Sequence, residues 1–298
     1  MAQKYQQAGD SKNAIKYYYS SLEEMEKARA DKLAQIAVLG KLIALEKKEN
    51  NHVSVEKLCD KVIPMAELAY GPDSLNLIPF LAEMRDAVSR HADRDKAGAL
   101  LDRIISIQEK NSGPDSVQLM WFLEDYAKST SPTCGDRFDL GKLRHLVALR
   151  AKHFGATNKD TIRDKLILAD VLSQKAESEK EAEQLYRECI KATQLTGEKS
   201  LQANSSLRYS RFLRRSKRLE DALPFLEEAY SISGPGKTYS PLFGPEIADL
   251  LGEALETKGK RKEAKELYET MIAHLNKQAG THPLLSDFSD RLSNLDKN

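Results

Sequence analysis

The segment from Ser233 to Thr238 reads Ser-Gly-Pro-Gly-Lys-Thr, which partly matches a loop that binds nucleotide phosphates. That motif requires a glycine five residues before Gly236, where this chain has Ser231, and it follows a β-strand. Here a helical pattern precedes the segment instead. We therefore interpret it as a loop between structural units, and we predict no nucleotide and no other cofactor.

Cysteine and histidine chemistry also receives little support from the sequence. Cys59, Cys134 and Cys189 are far apart and form no CxxC pair, so neither a disulfide framework nor a zinc site is predicted. Cys59 and Cys189 fall on apolar stripes, which is typical of small core residues. The six histidines include no His-x-x-x-His pair. We predict a non-enzymatic protein in a reducing compartment, with the cytoplasm favoured.

Charge restricts the class of partner. The 298 residues carry 46 Lys and Arg against 45 Asp and Glu, so the net charge is only +1. A summed field of this size cannot attract nucleic acid or an anionic membrane. No stretch approaches the roughly 18 apolar residues that a membrane span needs. We therefore expect a protein or peptide partner, with no nucleic acid and no membrane insertion.

A glycine recurs at a fixed interval, and this period predicts the architecture. Gly71, Gly113, Gly155 and Gly197 follow one another at steps of 42 residues, and the first two open a Gly-Pro-Asp-Ser turn. A period of this size indicates one supersecondary unit stacked many times. A further Gly-Pro, at Gly244, comes five residues late. We assign the extra residues to a loop spanning 231–243.

Two amphipathic helices fill each period. The clearest pair lies between Ile247 and Leu275 and is interrupted at Gly259, as a left-handed glycine would do. Helix A carries apolar side chains at Ile247, Leu250, Leu251 and Leu255, and helix B carries Ala264, Leu267, Tyr268, Met271 and Ile272. No convincing alternation typical of a strand is found. The chain is predicted to be all-α.

This pair resembles the tetratricopeptide repeat (TPR), in which small residues let the two helices approach closely and one aromatic fills the gap to the next repeat. The matching residues are Gly252, Gly259, Ala264 and Tyr268. The 42-residue period is similar to that of the kinesin light chain-like subclass. The resemblance implies a right-handed α-solenoid of helix-turn-helix repeats. Its expected boundaries are 1–28, 29–70, 71–112, 113–154, 155–196, 197–243 and 244–279, with a capping helix at 281–296.

Two local departures from the repeat are expected. Ser131 to Gly135 form a long inner turn in one unit. Ala2 already matches the eighth consensus position, so the first unit lacks half of helix A, as in a piece of a longer array.

In TPR arrays helix A lines a concave groove, and the resemblance places one set of polar side chains there. Candidate partner-binding residues are Arg208, Arg211, Arg214, Arg215, Trp121, Lys128, Glu253 and Glu256. Arginine offers a planar fork that matches carboxylates, which favours an acidic segment in the partner. Three alternatives stay open: a solvated arginine cluster, pairing of the basic and acidic rows with each other, and a core position for Trp121.

Two functions compete at this stage. The first is a non-catalytic protein-interaction module that binds a peptide or partner helix in the groove. The second is a structural scaffold that self-associates or stacks on further repeats through an open N-terminal edge. That edge would expose the apolar face of Ala14, Tyr18 and Leu22. The oligomeric state is left open.

Overall fold

A computed structural model of the protein describes residues 1–90, 93–129, 139–238, 240–277 and 282–297. Cys134, His91, the predicted turn from Ser131 to Gly135, and Gly280 and Thr281 lie outside them. The chain divides into two compact units, Met1–Arg137 and Phe138–Asn298, which are described separately. Whether the two units form one continuous array with the predicted repeat boundaries stays a prediction.

Among its described residues the first unit contains seven α-helices, and consecutive helices pack against each other. They are α1 (Ala2–Gln7), α2 (Ser11–Lys27), α3 (Lys32–Lys48), α4 (His52–Tyr70), α5 (Ile78–Arg90), α6 (Arg94–Ser112) and α7 (Val117–Ser129). A short 3₁₀ turn at Leu75–Leu77 precedes α5.

The part of the second unit that the structure describes contains eight α-helices in the same consecutive packing. They are α8 (Leu140–Phe154), α9 (Lys159–Leu172), α10 (Glu179–Thr196), α11 (Lys199–Arg215), α12 (Leu223–Ser233), α13 (Ser240–Thr257), α14 (Arg261–Leu275) and α15 (Leu284–Lys297). No β-strand occurs among the described residues. The predicted all-α solenoid class and the C-terminal helix are therefore confirmed.

The periodic glycines end the even-numbered helices. Gly71, Gly113 and Gly155 follow α4, α6 and α8 with φ of 89°, 79° and 92° and ψ of 154°, 162° and 154°. A residue with a Cβ rarely adopts this conformation. Gly197 follows α10 in the ordinary left-handed region, with φ 71° and ψ 13°. The period therefore records where the chain must turn sharply into the next helix.

The predicted loop 231–243 is wrong at its C-terminal end. Helix α12 continues to Ser233, and α13 already begins at Ser240, before the predicted start at Ile247. The extra residues therefore lengthen a helix, with Pro245 inside it. Pro245 is the sixth residue of α13, beyond the first turn, so it removes one backbone N–H from the hydrogen-bond ladder of the helix.

The predicted exposure of the N-terminal edge is also wrong. Ala14, Tyr18 and Leu22 are buried, at 0%, 4% and 4% exposure. Helix α1 packs on one side of α2 and α3 on the other, and the Tyr18 hydroxyl donates to Gln6 Oε1 at 2.8 Å. A six-residue helix is thus enough to cover the face on which the self-association hypothesis depended.

Helices α13 and α14 meet at a position that only glycine fits. A Cβ at Gly252 would lie 2.2 Å from Tyr268 Cε1, well inside van der Waals contact. Tyr268 is fully buried and packs on Phe288 of α15, with ring centroids 5.7 Å apart. The close approach expected from the TPR resemblance is therefore present, and it positions both α13 and α15.

We expect Gly252→Ala to destabilise the protein by about 1–3 kcal/mol, because the buried Tyr268 ring must move to admit a methyl group. Urea denaturation followed by circular dichroism measures this loss. Gly98 in α6 is the matched control, since a Cβ there meets no atom within 4 Å. Gly98→Ala should be neutral or stabilising by up to about 1 kcal/mol. Equal midpoints for the two variants would contradict the packing argument.

Candidate functional site

Four helices of the second unit lie side by side. Helix α11 contacts both α9 and α13, and α13 contacts α15. We call the surface formed by α9, α11, α13 and α15 the odd-helix face. On α11 the residues Leu201, Asn204, Arg208, Arg211 and Arg215 recur at steps of three and four. This spacing places them on one stripe of the helix, directed along the same face.

Arg208 is held in place by its neighbours. Its Nη1 pairs with Asp170 of α9, and its Nε donates to Asn204 Oδ1 at 2.8 Å. Asp170 also accepts a hydrogen bond from the Tyr186 hydroxyl at 2.6 Å. Because both ends of the guanidinium are engaged within the fold, Arg208 orients the face more than it offers a free charge.

Arg211 and Arg214 reach across to α13. Arg211 forms a bidentate pair with Glu246, with both N–O distances 2.5 Å. Arg214 lies 3.4 Å from Glu253 and 4.0 Å from Asp249. Both arginine side chains are 46% exposed. The basic and acidic rows thus pair with each other, which was one of the open alternatives, and exposed pairs of this kind contribute only about 0–1 kcal/mol each.

Arg215 differs from the other arginines of the stripe. Its Nη2 donates to Ser173 Oγ at 2.7 Å, just after the end of α9. Within the described residues no carboxylate lies at ion-pair distance from it. Its side chain is exposed. Arg215 is therefore a cation whose charge the described part of the fold leaves available.

Three carboxylates of α13 surround one arginine of α15. Arg291 lies 3.3 Å from Asp249, 3.5 Å from Glu253 and 3.6 Å from Glu256. Burial raises the pKa of Asp249 in spite of this neighbour. Glu256 also accepts a hydrogen bond from the Tyr268 hydroxyl. Glu253 is therefore shared between Arg214 of α11 and Arg291 of α15, whereas Glu256 is engaged with α15 and α14.

A cleft opens between the N-terminal halves of α9 and α11. Its volume is about 300 Å³. It is lined by Lys159, Arg163, Leu166, Ile167, Glu198, Ser200, Leu201, Asn204 and Arg208. Arg163 pairs with Asp160 at 2.7 Å, whereas Lys159 has no ion-pair partner in the described part of the chain. The cleft combines an apolar floor with a charged rim, on which Lys159 and Arg163 lie together with Glu198.

Sequence reasoning missed Lys159 and Arg163. Both lie on α9, one turn apart, in line with Asp170. Their spacing matches the stripe on α11 and could have been recognised. What sequence could not show is that α9 and α11 separate enough at this end to leave space between them.

Trp121 and Lys128 lie on α7 in the first unit. Trp121 is 65% exposed and is therefore not a core residue. Lys128 Nζ lies 2.5 Å from Glu124, one turn earlier. Helix α7 is also linked to α5 by an ion pair between Asp125 and Arg85, and α5 to α3 by Lys47 and Glu83 at 2.8 Å.

Other chemistries find little support in the geometry. Burial raises the pKa of the Cys59 and Cys189 thiols to about 12, so neither is a ready thiolate. In the described ranges no three His, Cys, Asp or Glu side chains are grouped to hold a metal. The helices seen there include none that is long and apolar enough to cross a membrane.

Helix α11 is anchored on its other side by Glu183 of α10. This carboxylate accepts hydrogen bonds from Arg218, from Arg187 and from the Tyr209 hydroxyl, the last at 2.9 Å. Chiefly the Arg218 hydrogen bond lowers the pKa of Glu183 to about 2. The cluster therefore fixes the helix that carries the arginine stripe.

Several solved structures resemble the fold. A Podosopora anserina chain described as a kinesin light chain with nearly identical TPR-like repeats gives a TM-score of 0.47 at 16% identity, over 65% of this chain and 92% of that chain. BtubC (BKLC) from P. vanneervenii gives 0.48 at 15% identity, over 74% and 90%. The RpL4 assembly chaperone Acl4 gives 0.46 at 15% identity, over 87% and 97%.

No family model and no curated protein sequence matches the chain. The structural neighbours are TPR-like repeat proteins, but identities and TM-scores of this size do not identify a function.

The lowered pKa of Glu183 predicts an acid-dependent loss of stability. A carboxylate with a lowered folded-state pKa stabilises the fold above its unfolded pKa, near 4.5, and this contribution is lost as the pH falls toward about 2. In wild type the urea midpoint should therefore fall between about pH 5 and pH 3. We expect a smaller fall in Glu183→Gln, whose midpoint should already be lower at pH 5. Parallel pH profiles for the two proteins would show that Glu183 does not anchor α11.

Proposed function

We propose that the protein is a non-catalytic interaction module that binds an acidic peptide or partner helix on the odd-helix face, with Arg208, Arg211, Arg214 and Arg215 as the basic stripe. The observation that carries this proposal is the state of Arg215. Its guanidinium is exposed and bonded to a hydroxyl, with no carboxylate at ion-pair distance in the described residues. A carboxylate of a partner would supply the missing counter-charge.

The neighbouring arginines can exchange their partners. Glu246, which pairs with Arg211, is 43% exposed, and Glu253, beside Arg214, is 32% exposed. Since exposed ion pairs are weak, an incoming carboxylate competes with Glu246 or Glu253 at little cost. Arg208 serves as a positioning residue. Glu253 and Glu256 repel the wrong end of an acidic partner and so orient it.

The cleft extends the proposed site along α11. Leu201 and Arg215 are separated by about 21 Å along the helix axis, at 1.5 Å per residue. An extended peptide covers this distance with about six residues, at 3.3 Å each. An apolar side chain would occupy the floor formed by Leu166, Ile167 and Leu201, and an acidic residue about six positions away would reach Arg215. Lys159 and Arg163 provide further cations at the cleft end.

Two of the candidate residues are a separate part of the proposal. Trp121 and Lys128 are exposed on α7 of the first unit. An exposed tryptophan is a frequent anchor in protein interfaces. We include both as partner contacts made independently by that unit. We also propose that the repeats are of the 42-residue, kinesin light chain-like subclass.

The test uses a fluorescein-labelled peptide with one leucine and a Glu-Glu pair about six residues away. Arg211→Glu combined with Arg215→Glu should weaken binding, measured by fluorescence anisotropy, by tenfold or more (about 1.4 kcal/mol), since two attractive contacts become repulsive. Affinity of the wild type should also fall with added salt.

The matched control is Arg144→Glu on α8, which makes the same kind of charge change. Arg144 is 49% exposed and pairs with Glu181 at 2.7 Å, away from the stripe. Its affinity for the peptide should stay close to that of wild type. If the double variant binds as tightly as the control, the assignment of the site to Arg211 and Arg215 is wrong.

A further inference from the structure

Helix α15 is lightly attached to the second unit. Among its described side chains Phe288 is the one fully buried. Leu284, Leu285 and Leu292 remain partly exposed. Helix α14, of similar length, buries five side chains, including Leu267, Tyr268 and Met271. The small apolar contact means that α15 gains little from burial and relies on a few specific interactions.

Two side chains of α15 make those interactions. Phe288 packs on the Tyr268 ring, whose position depends on the absence of a side chain at Gly252. Arg291, three residues later and hence on the same face of the helix, enters the group formed by Asp249, Glu253 and Glu256. The surface of α13 and α14 therefore recognises an aromatic side chain and an arginine three positions later.

The carboxylates beneath α15 require a cation. The Asp249 side chain is only 14% exposed, and apart from Arg291 the described cation near it is Arg214, at 4.0 Å. Removing Arg291 would leave a largely buried carboxylate with one distant counter-charge, which is strongly unfavourable. The charge of the surface therefore selects a helix that places a cation at the position of Arg291.

We propose that the surface of α13 and α14 beneath α15 is a helix-docking site, which α15 occupies intramolecularly and which a helix of a partner protein binds by displacing α15. The partner helix carries an aromatic side chain and an arginine three positions later on one face. The site lies on the side of α13 away from the α9–α11 cleft, and its existence does not depend on acidic-peptide binding there.

The test measures how tightly a peptide with the sequence of α15 binds to a variant whose own α15 is weakly docked. In the full chain, Phe288→Ala combined with Arg291→Glu weakens the intramolecular contact and leaves α13 and α14 unchanged. A labelled peptide with the native sequence of residues 283–297 is titrated into this variant and into wild type, with anisotropy as the readout. We expect the variant to bind the peptide about tenfold or more tightly than wild type, because wild-type α15 competes for the site.

Two altered peptides control for specificity. A peptide with Arg291→Glu should bind the variant about tenfold or more weakly, since it brings a negative charge to three carboxylates. A peptide with Ser289→Ala should bind as the native peptide does, because Ser289 is exposed on α15. Equal binding of the native and Arg291→Glu peptides would overturn the proposal.

Folding of the variant is checked by its helical circular dichroism signal and its urea midpoint. If the double variant does not fold, Arg291→Ala alone replaces it in the same titration. Hydrogen exchange of wild type gives an independent measurement, in which α15 amides should exchange faster than α14 amides. A folded variant that binds the peptide no better than wild type, or α15 amides that are as protected as those of α14, would contradict a displaceable helix.

Discussion

The structure depends on a backbone constraint, which is that an even-numbered helix must stop at a fixed place before the next helix can begin. Gly71, Gly113 and Gly155 meet it with positive φ and extended ψ, a combination that side chains disfavour. Because the interval between these stops is constant, residues about one period apart become lateral neighbours. Contacts between neighbouring odd helices accordingly join residues 35 to 42 positions apart, as for Arg211 with Glu246 and Arg215 with Ser173.

Within that frame the odd-helix face is almost balanced in charge. Arginines of α11 alternate with carboxylates of α9 and α13, and Arg291 of α15 completes the series. Most of these pairs are partly exposed and so contribute little to stability, while they determine where an external charge can enter. Two places interrupt this alternation of charge. One is Arg215, which has no carboxylate at ion-pair distance among the described residues, and the other is the cleft with Lys159 at its rim.

Much of the fold follows from local sequence patterns. The glycine period, the amphipathic helices and the close approach at Gly252 and Tyr268 all depend on residues near in sequence or on a repeated motif. The arginines that α11 places on the odd-helix face were likewise predictable, whereas Lys159 and Arg163 of α9 were missed. Their pairing was not, because it depends on the lateral spacing of neighbouring helices and on side-chain rotamers. The long α13 was missed because the prolines near its start were taken as loop residues. The burial of Tyr18 was missed because a short first helix was not expected to cover it.

Asp249 and Glu253 stand between two arginines from different helices, Arg214 of α11 and Arg291 of α15. This shared pair of carboxylates makes the two flanks of α13 thermodynamically linked. A ligand that draws Arg214 away leaves Arg291 as the principal remaining counter-ion, so α15 is held more firmly. By reciprocity, loss of α15 tightens Arg214 on its carboxylates and lowers ligand affinity on the opposite flank. Helix α13 would then act as a positive coupler between the ligand and α15, which never touch, and slower amide exchange of α15 on ligand binding would be its signature.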